Sequence, residues 1–227
     1  MPRRGRVFVP AYPHHIVQRG HNRQAVFLTE EDRSSYLTTL CEFREKLGVQ
    51  IHAYCLMTNH VHLIVNPGAD ATNLSLLMKR LAGRHTRRLN RLRRRTGTSW
   101  EGRFKCSPIE SSTYLLACAR YVDLNPVRAR IVQRPEDYVW SSYRAKTGLS
   151  DCSWLDPDPC FLALAHAIEQ RQQCYREFAW HPKASTRVPS HRRAAQSIDW
   201  LGCFHSRDRT ADWRSDSQST SWATDRR

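Results

Sequence analysis

The sequence predicts an α+β fold, an antiparallel sheet covered by helices, and three observations carry that expectation. Residues 49–57 and 60–65 alternate apolar and polar side chains and abut across the short turn Thr58-Asn59, which reads as a hairpin. Other segments repeat apolar residues every three or four positions, as amphipathic helices do. Strand-like and helix-like segments alternate through the first 150 residues instead of clustering by type.

Residues 14–18 (HHIVQ) form the first predicted strand, followed by a polar turn over 19–24. Thr29-Glu-Glu-Asp32 fits a capping box with acidic residues in the first helical turn, where the helix dipole favours them. Leu37, Leu40, Cys41 and Leu47 recur at helical spacing, and Gly48 supplies a stop. In the hairpin, Val49, Ile51, Ala53 and Cys55 share one face by strand phase. A second helix is expected over 71–95, its stripe formed by Leu74, Leu77, Met78, Leu81, Leu89 and Leu92. Residues 100–106 (WEGRFKC) suggest another strand. Ser111 or Ser112 can cap a third helix reaching Leu124, where Pro126 is expected to end it. Residues 135–144, with Trp140 and Tyr143, are expected to pack on this core, and a last helix spans 159–178. The reading divides the chain into a principal domain over 1–150, a helical extension over 151–182, and a disordered tail over 183–227, where Ser, Arg, Thr, Asp and Trp follow no period.

A formal net charge of +15 and a pI near 10.0 over 227 residues set the chain apart from enzymes of small neutral metabolites and point to a polyanion. No apolar run approaches the roughly 18 residues that a spanning helix needs. The start, MPRRGRVFVPAYP, lacks the apolar core of a secretory signal, so a cytoplasmic location without membrane association is expected. The eight cysteines are scattered without a C-x-x-C pair and read as small buried hydrophobes.

The sharpest local pattern is His60-Val61-His62. On a strand both imidazoles face one way while Val61, Leu63 and Val65 anchor the other face, so the pair makes a rigid platform for a divalent ion. Further ligation can come from the third helix, where Tyr121 and Asn125 are four apart and share a face if the helix continues. A tyrosine there, Tyr121 or equally Tyr114 by spacing, is a candidate nucleophile, provided that a cation or base offsets its high pKa. Lys79, Arg80, Arg84, Arg87, Arg88, Arg91, Arg94 and Arg95 crowd the second helix, and no acidic residue lies between Ala71 and Ser99. Such one-sided charge points to phosphate contacts. Arg103 and Lys105 extend the basic surface, and Trp100 and Phe104 beside them offer bases a stacking partner, unless Trp100 is a core residue.

These residues also carry a family resemblance. HHIVQRGHNRQAVF, HAYCLMTNHVHLIVNP and ARYVDLNPVRARIV resemble, in order and separation, the REP-associated tyrosine transposases, members of the single-tyrosine HUH transposases. The resemblance spans roughly residues 10–178. It implies a ferredoxin-like sheet, a Mg²⁺ or Mn²⁺ ion on His60 and His62, and Asn125 as a third ligand. It also implies a 5′-phosphotyrosine intermediate, with the nucleophile falling on Tyr121. The implied activity is metal-dependent cleavage and rejoining of hairpin-flanked single-stranded DNA by a monomer or homodimer; the rival expectation is a non-catalytic hairpin binder of the same descent. No nucleotide cofactor is expected, since no GxxxxGK loop occurs. The departure comes after Phe178, where relatives of this kind continue with another ordered basic segment and this chain turns Ser/Arg/Trp-rich.

Overall fold

The computed structural model describes residues 7–110 and 112–180. Ser111 and residues 183–227 lie outside the described residues, and with them the expected Ser111 cap and C-terminal tail. In chain order the elements are β1 (His14–Arg19), α1 (Glu30–Leu47), β2 (Gln50–Met57), β3 (His60–Asn66), α2 (Thr72–Leu92), β4 (Lys105–Pro108) and α3 (Ser112–Asp123). Four shorter or later helices follow: α4 (Asn125–Arg128), α5 (Tyr143–Lys146), α6 (Pro159–Leu162) and α7 (Ile168–Trp180). The sheet order is β2-β3-β1-β4, every neighbour antiparallel. β1 and β2 therefore run the same way with β3 slotted between them, the split βαβ arrangement of ferredoxin-like sheets.

Local chemistry explains the ends of α1. The Asp32 amide donates to Thr29 Oγ1 at 3.3 Å and the Thr29 amide donates to Asp32 Oδ2 at 3.4 Å, a reciprocal capping box. Gly48 closes the helix at φ 61°, a left-handed conformation that a side chain would resist. The buried face of α1 is built on Tyr36, Leu40 and Phe43, with Leu37 and Leu47 partly buried beside them.

The sheet has two differently covered faces. Ile16, Val61, Leu63 and Val65 pack against α1 and α2, through Leu40, Leu74, Leu77, Met78 and Leu81. Ile64, Ala53, Cys55 and Met57 pack on the opposite face against Leu115, Ala119 and Val122 of α3. The expected single face of Val49, Ile51, Ala53 and Cys55 does not survive. Ile51 pairs with Val65 and Ala53 with Ile64, so two residues of β2 oppose one of β3. This bulge reverses the phase: Ile51, Tyr54 and Leu56 face α1 and α2, while Ala53 and Cys55 face α3.

The outer edge of β2 is sealed by later chain. Leu56 N donates to Trp140 O and Ser142 N to Tyr54 O, both at 2.9 Å, and Ile51 N donates to Asp156 Oδ2 at 2.8 Å. These bonds satisfy backbone groups that an open edge would offer to another strand.

Three other expectations change. Residues 100–104 form a bridge and turn, Trp100 pairing with Gly20 and Gly102 taking φ 68°, so the strand begins only at Lys105. α3 ends at Asp123, within a residue of the expected stop before Pro126. The chain turns at once, however, into the separate helix α4, whose first turn holds Pro126, where its missing N–H costs nothing. The single helix expected over 159–178 is broken into α6 and α7. Phe161 and Tyr175 rings lie 5.5 Å apart, whereas on one straight helix fourteen residues would separate them by about 21 Å. Burying both against Leu116 of α3 requires the turn.

Candidate functional site

His60 and His62 project from β3 toward α3, on the face away from α1 and α2, with ring centroids 4.9 Å apart. The Nδ1 of His60 lies 2.6 Å from Asn59 Oδ1, and Asn59 Nδ2 donates to Arg23 O at 3.0 Å. His62 is joined by a histidine that sequence reasoning passed over. His15, on the neighbouring strand, places Nε2 3.0 Å from His62 Nδ1, the two rings nearly coplanar at 13°. Strand phase alone puts His14 and His15 on opposite faces, and His14 has a structural role: Nδ1 donates to Tyr12 O at 2.7 Å and Nε2 accepts from Val9 N at 3.1 Å. Recognising His15 required the β1–β3 register, in which Val17 opposes His62 and His15 is its diagonal neighbour.

Burial pushes His15 down to about 4. His60 also falls to about 4, through burial and then the Arg19 charge. Burial and the neighbouring His15 and His60 hold His62 well below its ordinary value. All three are neutral near pH 7, the form in which imidazole ligates a metal.

Tyr121 reaches this cluster from α3, its ring 5.8 Å from His62 and 5.9 Å from His15, both edge-on. Tyr114 lies exposed on the same helix. Burial raises the Tyr121 hydroxyl, while the Arg128 guanidinium, 4.7 Å from the ring centre, pulls it back. Asn125 Nδ2 donates to Tyr121 O at 2.9 Å, which leaves its Oδ1 as the atom a cation would use. Two residues beyond Tyr121, the fully buried Asp123 carboxylate accepts from Ser142 Oγ at 2.5 Å, Tyr175 OH at 2.6 Å and Lys146 Nζ at 3.2 Å. That hub ties α3 to α5 and α7, and so fixes the helix that presents Tyr121.

The basic residues are divided. Arg84 is bound to Glu42 and lies 4.6 Å over the Phe43 ring, with Arg80 5.5 Å from the same ring. Arg88 and Arg93 flank Asp32 at 3.7 and 3.3 Å, and Arg95 binds Asn90 and Ser99. Lys79, Arg87, Arg91, Arg94, Arg103 and Lys105 are exposed. A cleft of about 280 Å³ opens between Arg84, Arg87, Arg88, Arg91 and Leu92. It belongs to the opposite side of the sheet from the histidines. The two share one end, however: α2 finishes near Asp32 at the start of α1, where β1 ends and β3 begins. Lys105 opposes Val17, which opposes His62, so it stands on the histidine face two strands away. Trp100 and Phe104 are buried core residues, and the Trp100 indole N–H donates to Ala82 O at 3.3 Å, so neither ring offers the expected stacking platform.

Among the described residues, no group of three or more His, Cys, Asp or Glu is arranged to hold a metal ion. What the site offers is two neutral imidazoles on a rigid strand, donors that suit a divalent ion and leave positions open for further ligands and substrate. No helix of the described residues is long and apolar enough to cross a membrane.

The sequence matches the IS200-like transposase family over residues 9–125, more than half of the chain. No curated protein matches it. Among solved structures, a REP-associated tyrosine transposase bound to a REP hairpin is similar at a TM-score of 0.58 and 16% identity, over 70% of this chain and 99% of that one. A protein described as a transposase from Deinococcus radiodurans R1 is 19% identical over 54% of this chain and 96% of that one, at a TM-score of 0.36.

Proposed function

Since the chain belongs to the IS200-like transposase family, we propose that it cleaves and rejoins hairpin-flanked single-stranded DNA, with Tyr121 as the nucleophile. The observation that carries this reading is the convergence of Tyr121 from α3 on His62 and His15 from the sheet. Tyr121 packs against the apolar residues under α3 on one side, and its ring also meets two imidazoles and a guanidinium, contacts that apolar packing alone does not call for.

In this mechanism the Tyr121 oxygen bonds to the scissile phosphorus as the bond to the 3′ oxygen breaks, and the proton lost by the phenol balances the one gained by the 3′ hydroxyl. The 5′ end stays on the protein as a phosphotyrosine, which conserves the phosphodiester bond energy for rejoining without a nucleotide. His60, His62 and Asn125 are the residues that would hold a divalent cation, Mg²⁺ or Mn²⁺, whose contribution is to neutralise the scissile phosphate and polarise it for in-line attack. Arg128 stands where it stabilises negative charge on the Tyr121 oxygen, both before attack and when the tyrosine leaves during rejoining. The exposed Arg87, Arg91 and Arg94 hold flanking DNA through its phosphates, and Lys105 does so on the histidine face.

Incubation with a panel of single-stranded hairpins and Mn²⁺, followed by denaturing electrophoresis, tests the reading. The expected result is a protein–DNA adduct that chelator prevents and Tyr121→Phe abolishes. Salt-sensitive binding that ignores both chelator and Tyr121→Phe, with no adduct, would replace the enzyme with a non-catalytic hairpin binder.

A further inference from the structure

We infer that Asn59 is a positioning residue that locks His60 in the tautomer protonated at Nδ1, turning its Nε2 lone pair outward for a cation. The inference rests on the metal-site reading above but is carried by a separate chain of hydrogen bonds. Asn59 Nδ2 lies 3.0 Å from the backbone carbonyl oxygen of Arg23. A carbonyl only accepts, so the amide NH₂ must face it, and this fixes which end of the Asn59 amide is oxygen. That oxygen, Oδ1, lies 2.6 Å from His60 Nδ1. An amide oxygen also only accepts, so His60 must carry its proton on Nδ1. A neutral imidazole with hydrogen on Nδ1 has its lone pair on Nε2 and nowhere else.

The carbonyl at the head of this relay is itself held firmly. Arg23 N donates to Gly20 O at 3.1 Å, and Gly20 N donates to Asn59 O at 2.7 Å, so the 20–24 turn and the β2–β3 turn are clamped together. Asn22 and Arg23 take φ of 49° and 58° to make that turn. Asn59 does not: it is absent from the positive-φ residues, so this turn does not use asparagine for a left-handed backbone. The position uses the side chain. His62 Nδ1 lies 3.0 Å from His15 Nε2, a contact in which either imidazole can donate. Of the two, only His60 has a partner that can do nothing but accept, so its Nε2 is the lone pair that the hydrogen bonds assign to an ion.

The test reads tautomer and metal affinity separately. In the metal-free protein, ¹⁵N NMR of His60 is expected to show a protonated Nδ1 and an unprotonated Nε2. Asn59→Ala is expected to mix the tautomers and weaken Mn²⁺ binding by about 10–100-fold, measured by titration calorimetry. Asn59→Asp, which keeps the acceptor, is expected to retain the tautomer and most of the affinity, and it serves where the alanine variant does not fold. A protonated Nε2 on His60 in the parent protein, or an unchanged tautomer and affinity in Asn59→Ala, overturns the inference. The expected tautomer together with no Mn²⁺ binding by the parent supports the lock and sinks the metal site instead.

Discussion

Replacing Asp123 by alanine tests how α3 is held in place. The carboxylate has no solvent exposure and accepts three hydrogen bonds, one of them from the ammonium of Lys146, which is itself only 4% exposed. Removing it strands a buried cation and leaves the Tyr175 hydroxyl without its acceptor, while the Ser142 hydroxyl keeps the Tyr54 carbonyl at 3.3 Å. Breaking one side of such a pair costs about 3–5 kcal/mol. For a chain of this size that corresponds to a melting midpoint lowered by about 6–20 °C. The double variant Asp123→Leu/Lys146→Met removes the stranded charge and should recover part of the loss, the remainder being the buried Tyr175 hydroxyl still without its acceptor. Urea titration of the parent, single and double variants measures all three. Because Tyr121 lies on the freed helix while His60 and His62 stay on the sheet, adduct formation by Asp123→Ala should fall more than Mn²⁺ affinity, which loses only the Asn125 contribution. A loss under about 1 kcal/mol in Asp123→Ala, or a double variant as unstable as the single, would refute the view of this hub as the anchor of α3.

Other perturbations have equally direct expectations. His15 titrates at about 4 in the fold against 6.5 in the open chain, so the unfolded state binds the extra proton between those values. Stability of the metal-free protein is therefore complete above about pH 6.5 and declines toward pH 4, by about 3 kcal/mol from His15 alone, and His15→Gln should flatten that decline in acid melts. Arg87→Gln and Arg91→Gln should each reduce the slope of log affinity against log salt for hairpin DNA by about 1, whereas Arg80→Gln, already stacked on Phe43, should change it less. Gly20→Ala would press a methyl group into the Gln24 carbonyl oxygen and to 2.9 Å from Val26 Cγ1, and denaturation should show a loss of about 1–3 kcal/mol.

Much of the fold was legible because local signals and tertiary needs agreed. The Thr29–Asp32 capping box and the Gly48 stop are local chemistry, and both stand where residue order places them. The leucine stripe of α2 likewise became its buried face from Leu74 to Leu89; Leu92, expected in the same stripe, is exposed because it falls on the helix's last residue. What escaped depended on pairing between distant segments. The bulge at Ile51–Ala53 is a register event, invisible to a strict alternation count along one strand. Trp100 reads from sequence as a possible stacking surface, and only the close approach of α2, with Ala82 accepting its N–H, makes it core. The break between α6 and α7 follows from Phe161 and Tyr175 needing the same pocket. In the candidate site, the histidine pair was readable from strand phase, but His15 and Asn59 were not, since their value lies in which nitrogen or carbonyl they meet across the sheet. The basic helix shows the converse: its composition is plain, yet Glu42 and Asp32 of α1 already occupy Arg84, Arg88 and Arg93.

The most direct test of the account is the identity of the linked residue. After reaction with hairpin DNA and Mn²⁺, nuclease and protease digestion followed by mass spectrometry should find a nucleotide 5′-phosphate on the peptide containing Tyr121, and on that tyrosine. The same mass on Tyr114, or DNA cleaved with no nucleotide on any tyrosine, would contradict the claim that His60 and His62 serve a nucleophile at Tyr121.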